Sequence, residues 1–151
     1  MANVLSQTQF SVFLVNKPGV LAQVTGALAT AKVNLVAMTL VDSQEHGVLR
    51  MVVENAADAR GVLTKLNLPM TETEVLCIDL PNRPGALADV ATLLGKNHIN
   101  INYAYVTSGA PGGRTTGILK VADQGKATHV LKKVSPAKHK EANVRRTGPR
   151  R

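Results

Sequence analysis

At 151 residues, 44% hydrophobic and with a formal net charge of +8, the chain is long enough to bury a core, and its one cysteine, Cys77, excludes an internal disulfide framework and fits a reducing compartment. No opening stretch joins a basic segment, a long apolar run and a small-residue cleavage site, so the chain is expected to be cytoplasmic and without a membrane span. From Ser135 to Arg151, six basic residues against one acid leave +5, while the remaining 134 residues, with 12 basic and 9 acidic, carry only +3. The excess is therefore a tail, 135–151, with Pro136, Gly148 and Pro149 and almost no apolar content. It reads as a disordered, solvated end in preference to a nucleic-acid-binding face.

Residues 9–15 alternate loosely and are β-branched or aromatic, so they read as a strand. The turn Asn16-Lys17-Pro18-Gly19 follows, in which proline suits the first helical position and glycine lets a ligand or another chain approach the backbone. Val20, Leu21, Val24, Leu28 and Ala31 fall at helical spacing and predict a helix over about 19–31. A second strand is expected over 33–41, a polar turn over 42–47 and a third strand over 48–53. A short helix over 56–67 then places Ala59, Val62, Leu63 and Leu66 on one face.

The second half repeats the first in register. An offset of 66 carries Asn16 to Asn82, Pro18 to Pro84, Gly19 to Gly85, Leu21 to Leu87, Val24 to Val90, Leu28 to Leu94 and Asn34 to Asn100. The repeated elements are strands 75–80, 99–107 and 116–122 and helices over about 85–96 and 125–134. The hairpin from Ser108 to Arg114 is longer than its counterpart and Gly-rich. Because it joins two strands, it reads as a mobile turn and not as a phosphate cradle.

The chain is thus α+β, with two βαββαβ units in tandem, each an antiparallel sheet with helices on one face, over 8–73 and 74–134. Met70–Thr73 supplies the last strand of the first unit. Nothing after Val134 resembles a strand, so the second unit either lacks its edge or takes it from elsewhere. Units this small are marginal alone and are expected to pack on each other or on a second chain. Arg50 and Lys120 are read as equivalent strand positions that keep part of the helix-free face wet.

With a strand, Asn-(Lys/Arg)-Pro-Gly, Leu21 or Leu87, a helix, and Asn34 or Asn100 opening a strand, all of it duplicated, the chain resembles a tandem ACT-domain protein. The resemblance covers about residues 8–134. It implies a ferredoxin-like fold, a homodimer, and an amino acid held at interfaces between domains, at the turn after the first strand and the start of its helix. Standalone tandem proteins of this kind look like regulators or sensors. Carried over by residue, the implied site is Asn16 and Asn82, the backbone amides of Gly19, Val20, Leu21, Gly85, Ala86 and Leu87, and Asn34 and Asn100. The chemistry is coherent: amides at a helix start can hold a carboxylate, and asparagine oxygens can accept from an ammonium.

Blander roles exist for the same residues. Asn16 and Asn82 suit helix capping, and Asn34 and Asn100 suit turns. Tyr103 and Tyr105 share one strand face, where packing is the favoured reading over lining a pocket. The four histidines show no metal-site spacing, no cofactor is implied, and no carboxylate pair or nucleophile turn points to an enzyme. Asp79 near the second turn has no ionisable counterpart in the first copy, where Phe13 stands. Two alternatives stay open: a regulatory subunit that docks on an amino-acid biosynthetic enzyme, and an RNA-binding module of the same topology. Against the latter, strands 48–53 and 118–122 hold no aromatic on which a base could stack.

Overall fold

The first strand runs well upstream of the stretch that its apolar alternation marks. In a computed structural model that describes residues 3–42, 46–108 and 113–133, β1 spans Asn3–Val15. It is followed by α1 (Val20–Thr30), β2 (Leu35–Asp42), β3 (His46–Val53), α2 (Ala56–Lys65), β4 (Met70–Pro81), α3 (Ala86–Lys96), β5 (Ile101–Ser108), β6 (Arg114–Val121) and α4 (Gln124–Lys133). The basic tail, hairpin residues 109–112 and turn residues 43–45 lie outside the described residues.

The strands form one six-stranded antiparallel sheet in the order β2-β3-β1-β4-β6-β5, with β1 and β4 side by side at its centre. Their pairing runs from Asn3 opposite Asp79 to Val12 opposite Met70. The first part of β4 thereby completes the first unit, as expected. The missing edge of the second unit is the N-terminal half of β1, where Asn3 to Gln7 lie opposite Asp79 to Val75. The sequence conceals this half because Val4 is the one apolar residue among Val4, Ser6 and Thr8, which share the helix-facing side by strand alternation. Ser6 is tied to the second unit by the Gln124 side chain, whose Nε2 donates to Ser6 Oγ at 2.8 Å.

Both helix pairs cover the same face of the sheet. Phe10, Val12, Leu14, Leu49 and Met51 pack with Val24 and Leu28 of α1 and Leu63 of α2. Leu76, Ile78, Leu80 and Leu119 pack with Val90 and Leu94 of α3 and Leu131 of α4, and Val4 joins this second core. The repeat extends to the helix ends. Asn55 and Asp123 cap α2 and α4, their side-chain oxygens accepting from the amides of Asp58 and Lys126. Lys32 and His98, which the 66-residue offset relates, both take positive φ just after α1 and α3.

The opposite face holds a third, smaller core of Ala37, Val52, Val75, Cys77 and Ile118, with Val36 and Tyr105 against it. The sheet curls until its two edge strands approach, and a polar cluster bridges the approach. Fully buried Gln9 donates from Nε2 to the Tyr103 hydroxyl at 2.7 Å, and its Oε1 accepts from the Tyr105 hydroxyl at 2.8 Å. The Arg50 guanidinium stacks 4.2 Å from the Tyr103 ring centroid. Arg50 and Lys120 are not equivalent as read from sequence. Arg50 lies opposite Ser11, and the residue opposite Cys77, the counterpart of Ser11, is Ile118. Insertion in the longer second hairpin shifts the repeat offset from 66 to 68 beyond it.

Removal of residues 1–7 is expected to strip hydrogen-exchange protection from the β4 amides between 75 and 79 and from α4, while β2 and β3 stay protected. Uniform loss across both units would contradict separate service of the two halves of β1. Burial pushes the Cys77 thiol from 9.0 up to about 11. Burial first, then the neighbouring Tyr103 and Cys77, raise the Tyr105 phenol as well. Both groups stay neutral in the fold at pH values where the unfolded chain ionises. The stability they contribute is therefore complete below pH 9 and is lost as pH rises toward 11 and beyond. Urea midpoints measured between pH 8 and 11 should fall, and Cys77→Ala should flatten the first part of that fall.

Candidate functional site

The two Asn-(Lys/Arg)-Pro-Gly turns have the same backbone. The Lys17 amide donates to the Val15 carbonyl and the Arg83 amide to the Pro81 carbonyl, both at 2.9 Å. Gly19 and Gly85 then take φ of +89° and +88° as the N-cap residues of α1 and α3. Each helix therefore starts one residue later than expected, and Pro18 and Pro84 precede the cap instead of filling the first helical position. Only glycine adopts this left-handed cap without steric cost. The N-cap residue of each helix is thus the glycine, which has no side chain to close the cap, and not Asn16 or Asn82.

The intrahelical ladder begins with the Gln23 amide on the Gly19 carbonyl at 3.0 Å and the Asp89 amide on the Gly85 carbonyl at 2.9 Å. Ahead of these lie the first-turn amides, Val20 to Ala22 and Ala86 to Ala88, at the positive end of each helix dipole. In the second copy the Ala86 amide also makes a long bond of 3.4 Å to the Arg83 carbonyl.

Around the first turn the surface opens into two clefts. One, of about 330 Å³, is lined by Asn16, Lys17, Val20, Leu21, Leu40 and Asp42, with Leu14, Val15, Val41 and Gly47. The other, of about 510 Å³, lies across the turn against Phe13, Gln23, His46, Leu68 and Pro69. Asn16 Nδ2 donates to Asp42 Oδ1 at 3.1 Å. Sequence reasoning missed Asp42, which it read as a hairpin residue. The clue was its position at the end of the second strand, which finishes at the same end of the sheet as the first strand, with the third strand between them.

The second turn is differently furnished. The Asn82 amide donates to the Gly113 carbonyl at 2.9 Å. Arg83 lies 3.6 Å from Asp89, and Arg114 Nε donates to Asp79 Oδ1 at 2.9 Å. Ala86 is buried and Leu87 is exposed.

Asn34 and Asn100 stand apart from these turns. Each sits beyond the far end of the helix that the turn opens, so about 16 Å of α1 or α3 separates it from its own turn. Asn34 Nδ2 donates to Glu54 Oε1 at 3.0 Å and Asn100 Nδ2 to Asn102 Oδ1 at 3.2 Å. The strand register puts both near the middle of the long β1–β4 pair, while the turns lie at its opposite ends. Within one chain the structure brings together Asn16, Val20 and Leu21. It does not bring Asn34 or Asn100 to either turn. The two tyrosines are engaged with Gln9 on the helix-free face.

Two ferredoxin-like units fused through a shared central strand pair, with one turn at each end, define a paired domain. The chain belongs to the ACT domain pair family, whose model matches residues 5–143. Among solved structures it is similar to protein BT0572 from Bacteroides thetaiotaomicron, with a TM-score of 0.79 and 31% identity over 86% of this chain and 89% of that one. It also shares the fold of the ligand-free regulatory subunit of aspartate kinase from Thermus thermophilus, with a TM-score of 0.63 and 13% identity over 87% and 95% of the two chains. The regulatory subunit of aspartate kinase from Thermus flavus gives a TM-score of 0.57 and 14% identity over 87% and 92%. No curated protein matches the chain in sequence.

A Cβ added at Gly19 would meet nothing within 4 Å, so the cost of a side chain there is conformational. Gly19→Val is expected to lower stability by about 1–2 kcal/mol, and Gly19→Asn by less, because asparagine tolerates the left-handed region. Urea denaturation of the two variants checks the order, and equal midpoints would be inconsistent with the strained cap.

Proposed function

We propose that the chain is a regulatory, non-catalytic protein that binds an amino acid at the turn after a unit's first strand and works as a homodimer. The observation that carries this reading is the cleft that gathers Asn16, Val20 and Leu21, three of the residues singled out from the sequence, around one opening. Amides at the helix start suit an α-carboxylate, and asparagine and carboxylate oxygens suit an ammonium. The fold likeness to regulatory subunits of aspartate kinase supports a regulatory role.

The separation of Asn34 and Asn100 from their own turns supports a site completed by another copy. A ligand seated on one chain's turn can touch either asparagine only if a second chain supplies it. Phe13, Val15, Leu40 and Val41 are exposed apolar residues beside the first turn, the surface that closure of such a site would cover. Control then follows from the ligand's greater affinity for the closed arrangement.

A thermal-shift screen of the purified chain against the twenty amino acids at millimolar concentration tests the reading. One or two amino acids should raise the melting temperature by mass action, with the shift lost in Asn16→Ala. Absence of any shift would turn the assignment to a subunit that docks on an amino-acid biosynthetic enzyme.

A further inference from the structure

Resting on the amino-acid-binding reading above, we propose that the amino acid sits at the first turn only, that the Asp42 carboxylate pairs with its α-ammonium, and that its side chain is uncharged and apolar. An α-amino acid presents a cation and an anion side by side, and a site that removes both from water must answer both charges. The cleft of about 330 Å³ gathers groups for both. Asp42 and Asn16 offer oxygens. The Asn16 amide group is already spent on Asp42 at 3.1 Å, which leaves the asparagine its carbonyl oxygen as an acceptor. Lys17 and the open amides of Val20 and Leu21 offer donors. What remains of the described lining, Leu14, Val15, Leu40 and Val41 among it, is apolar and offers a charged ligand side chain no partner among the described residues of the cleft.

The second turn lacks this furniture. Asp42 lies opposite Gly47, and the residue in its place, opposite Thr115, is Ser108, which carries no charge. The acids near that turn are matched by guanidinium groups, Asp79 by Arg114 at 2.9 Å and Asp89 by Arg83 at 3.6 Å. An ammonium placed there would approach two arginines, and each of these two acids already faces one of them. Duplication has kept the backbone of the turn and changed what it can hold.

The test uses the full chain and calorimetric titration with leucine, isoleucine, valine, methionine and phenylalanine. Each is compared with its 2-oxo acid, which keeps the carboxylate and side chain but lacks the ammonium, and lysine, aspartate and threonine serve as polar comparators. An apolar amino acid should bind at least about tenfold more tightly than its 2-oxo acid, the margin expected for a charge-assisted hydrogen bond. Asp42→Ser should weaken the amino acid by about the same factor and leave the 2-oxo acid unchanged, while Asn82→Ala should have no effect. Melting temperatures of the unliganded variants, equal to the parent's, would confirm that they fold. Unchanged amino-acid affinity in Asp42→Ser, loss in Asn82→Ala, or tightest binding of a charged amino acid would overturn this inference and leave amino-acid binding itself intact. Failure of all twenty amino acids to bind in the thermal-shift screen would overturn the reading on which it rests.

Discussion

The antiparallel pairing of β1 with β4 is the contact on which the rest of the structure depends. A unit of this size buries a smaller fraction of its surface than a larger domain does and is marginal alone. Here neither unit is alone, because each long strand serves as a first strand in one unit and as the closing edge in the other. Two inner edges that would otherwise present unpaired amides and carbonyls are removed at once, and only β2 and β5 are left as edges. The same pairing sets the geometry of function. Since β1 and β4 run in opposite directions and each leads directly into its turn, the two turns are driven to opposite ends of the molecule.

Curling brings β2 and β5 toward each other on the helix-free face, and Gln9 decides how they meet. A buried amide is costly unless its hydrogen bonds are made, and Gln9 makes them with hydroxyls from β5, the far edge strand of the second unit. With Arg50 stacked on Tyr103, the cluster holds residues of one unit against residues of the other across the back of the sheet. Its polar groups accept few alternative registers, so it specifies the curl where the apolar residues of the third core would only favour it.

Much of this was legible in the sequence because the repeat is strict where packing is strict. Val24 and Leu28 match Val90 and Leu94 in the helices, and the twin Pro-Gly turns mark where each helix starts. The N-terminal half of β1 was hidden because a strand that lies on a shared seam needs little inward apolar surface of its own, and Val4 suffices. The equivalence of Arg50 and Lys120 was misjudged because the offset of 66 holds only up to the second hairpin, whose extra length alters it. At the candidate site, Asn16, Val20 and Leu21 were legible because they are local to one turn. Asp42 was not, since it reaches Asn16 from β2 across the end of β3, a distance of 26 residues in sequence. The distance of Asn34 and Asn100 from their own turns was hidden for the converse reason: a repeated asparagine carries no record of which copy, or which chain, it faces.

The rigidity of the centre also bears on how the proposed ligand could act. β1 and β4 are paired along most of their length and are covered by helices on one side and by the Gln9 cluster on the other. A ligand at the first turn therefore meets a backbone that has little room to yield along the strands. The groups free to respond lie outward, where Phe13, Val15, Leu40 and Val41 are exposed around the turn. Ligand binding can then favour an arrangement only by changing what covers those residues, because a ligand shifts an equilibrium by its differential affinity for the two states and by nothing else. Under the proposed binding at the first turn, the output would lie at the surface around that turn, and the second turn, at the far end of a stiff strand pair, would be a structural twin that the signal does not have to reach.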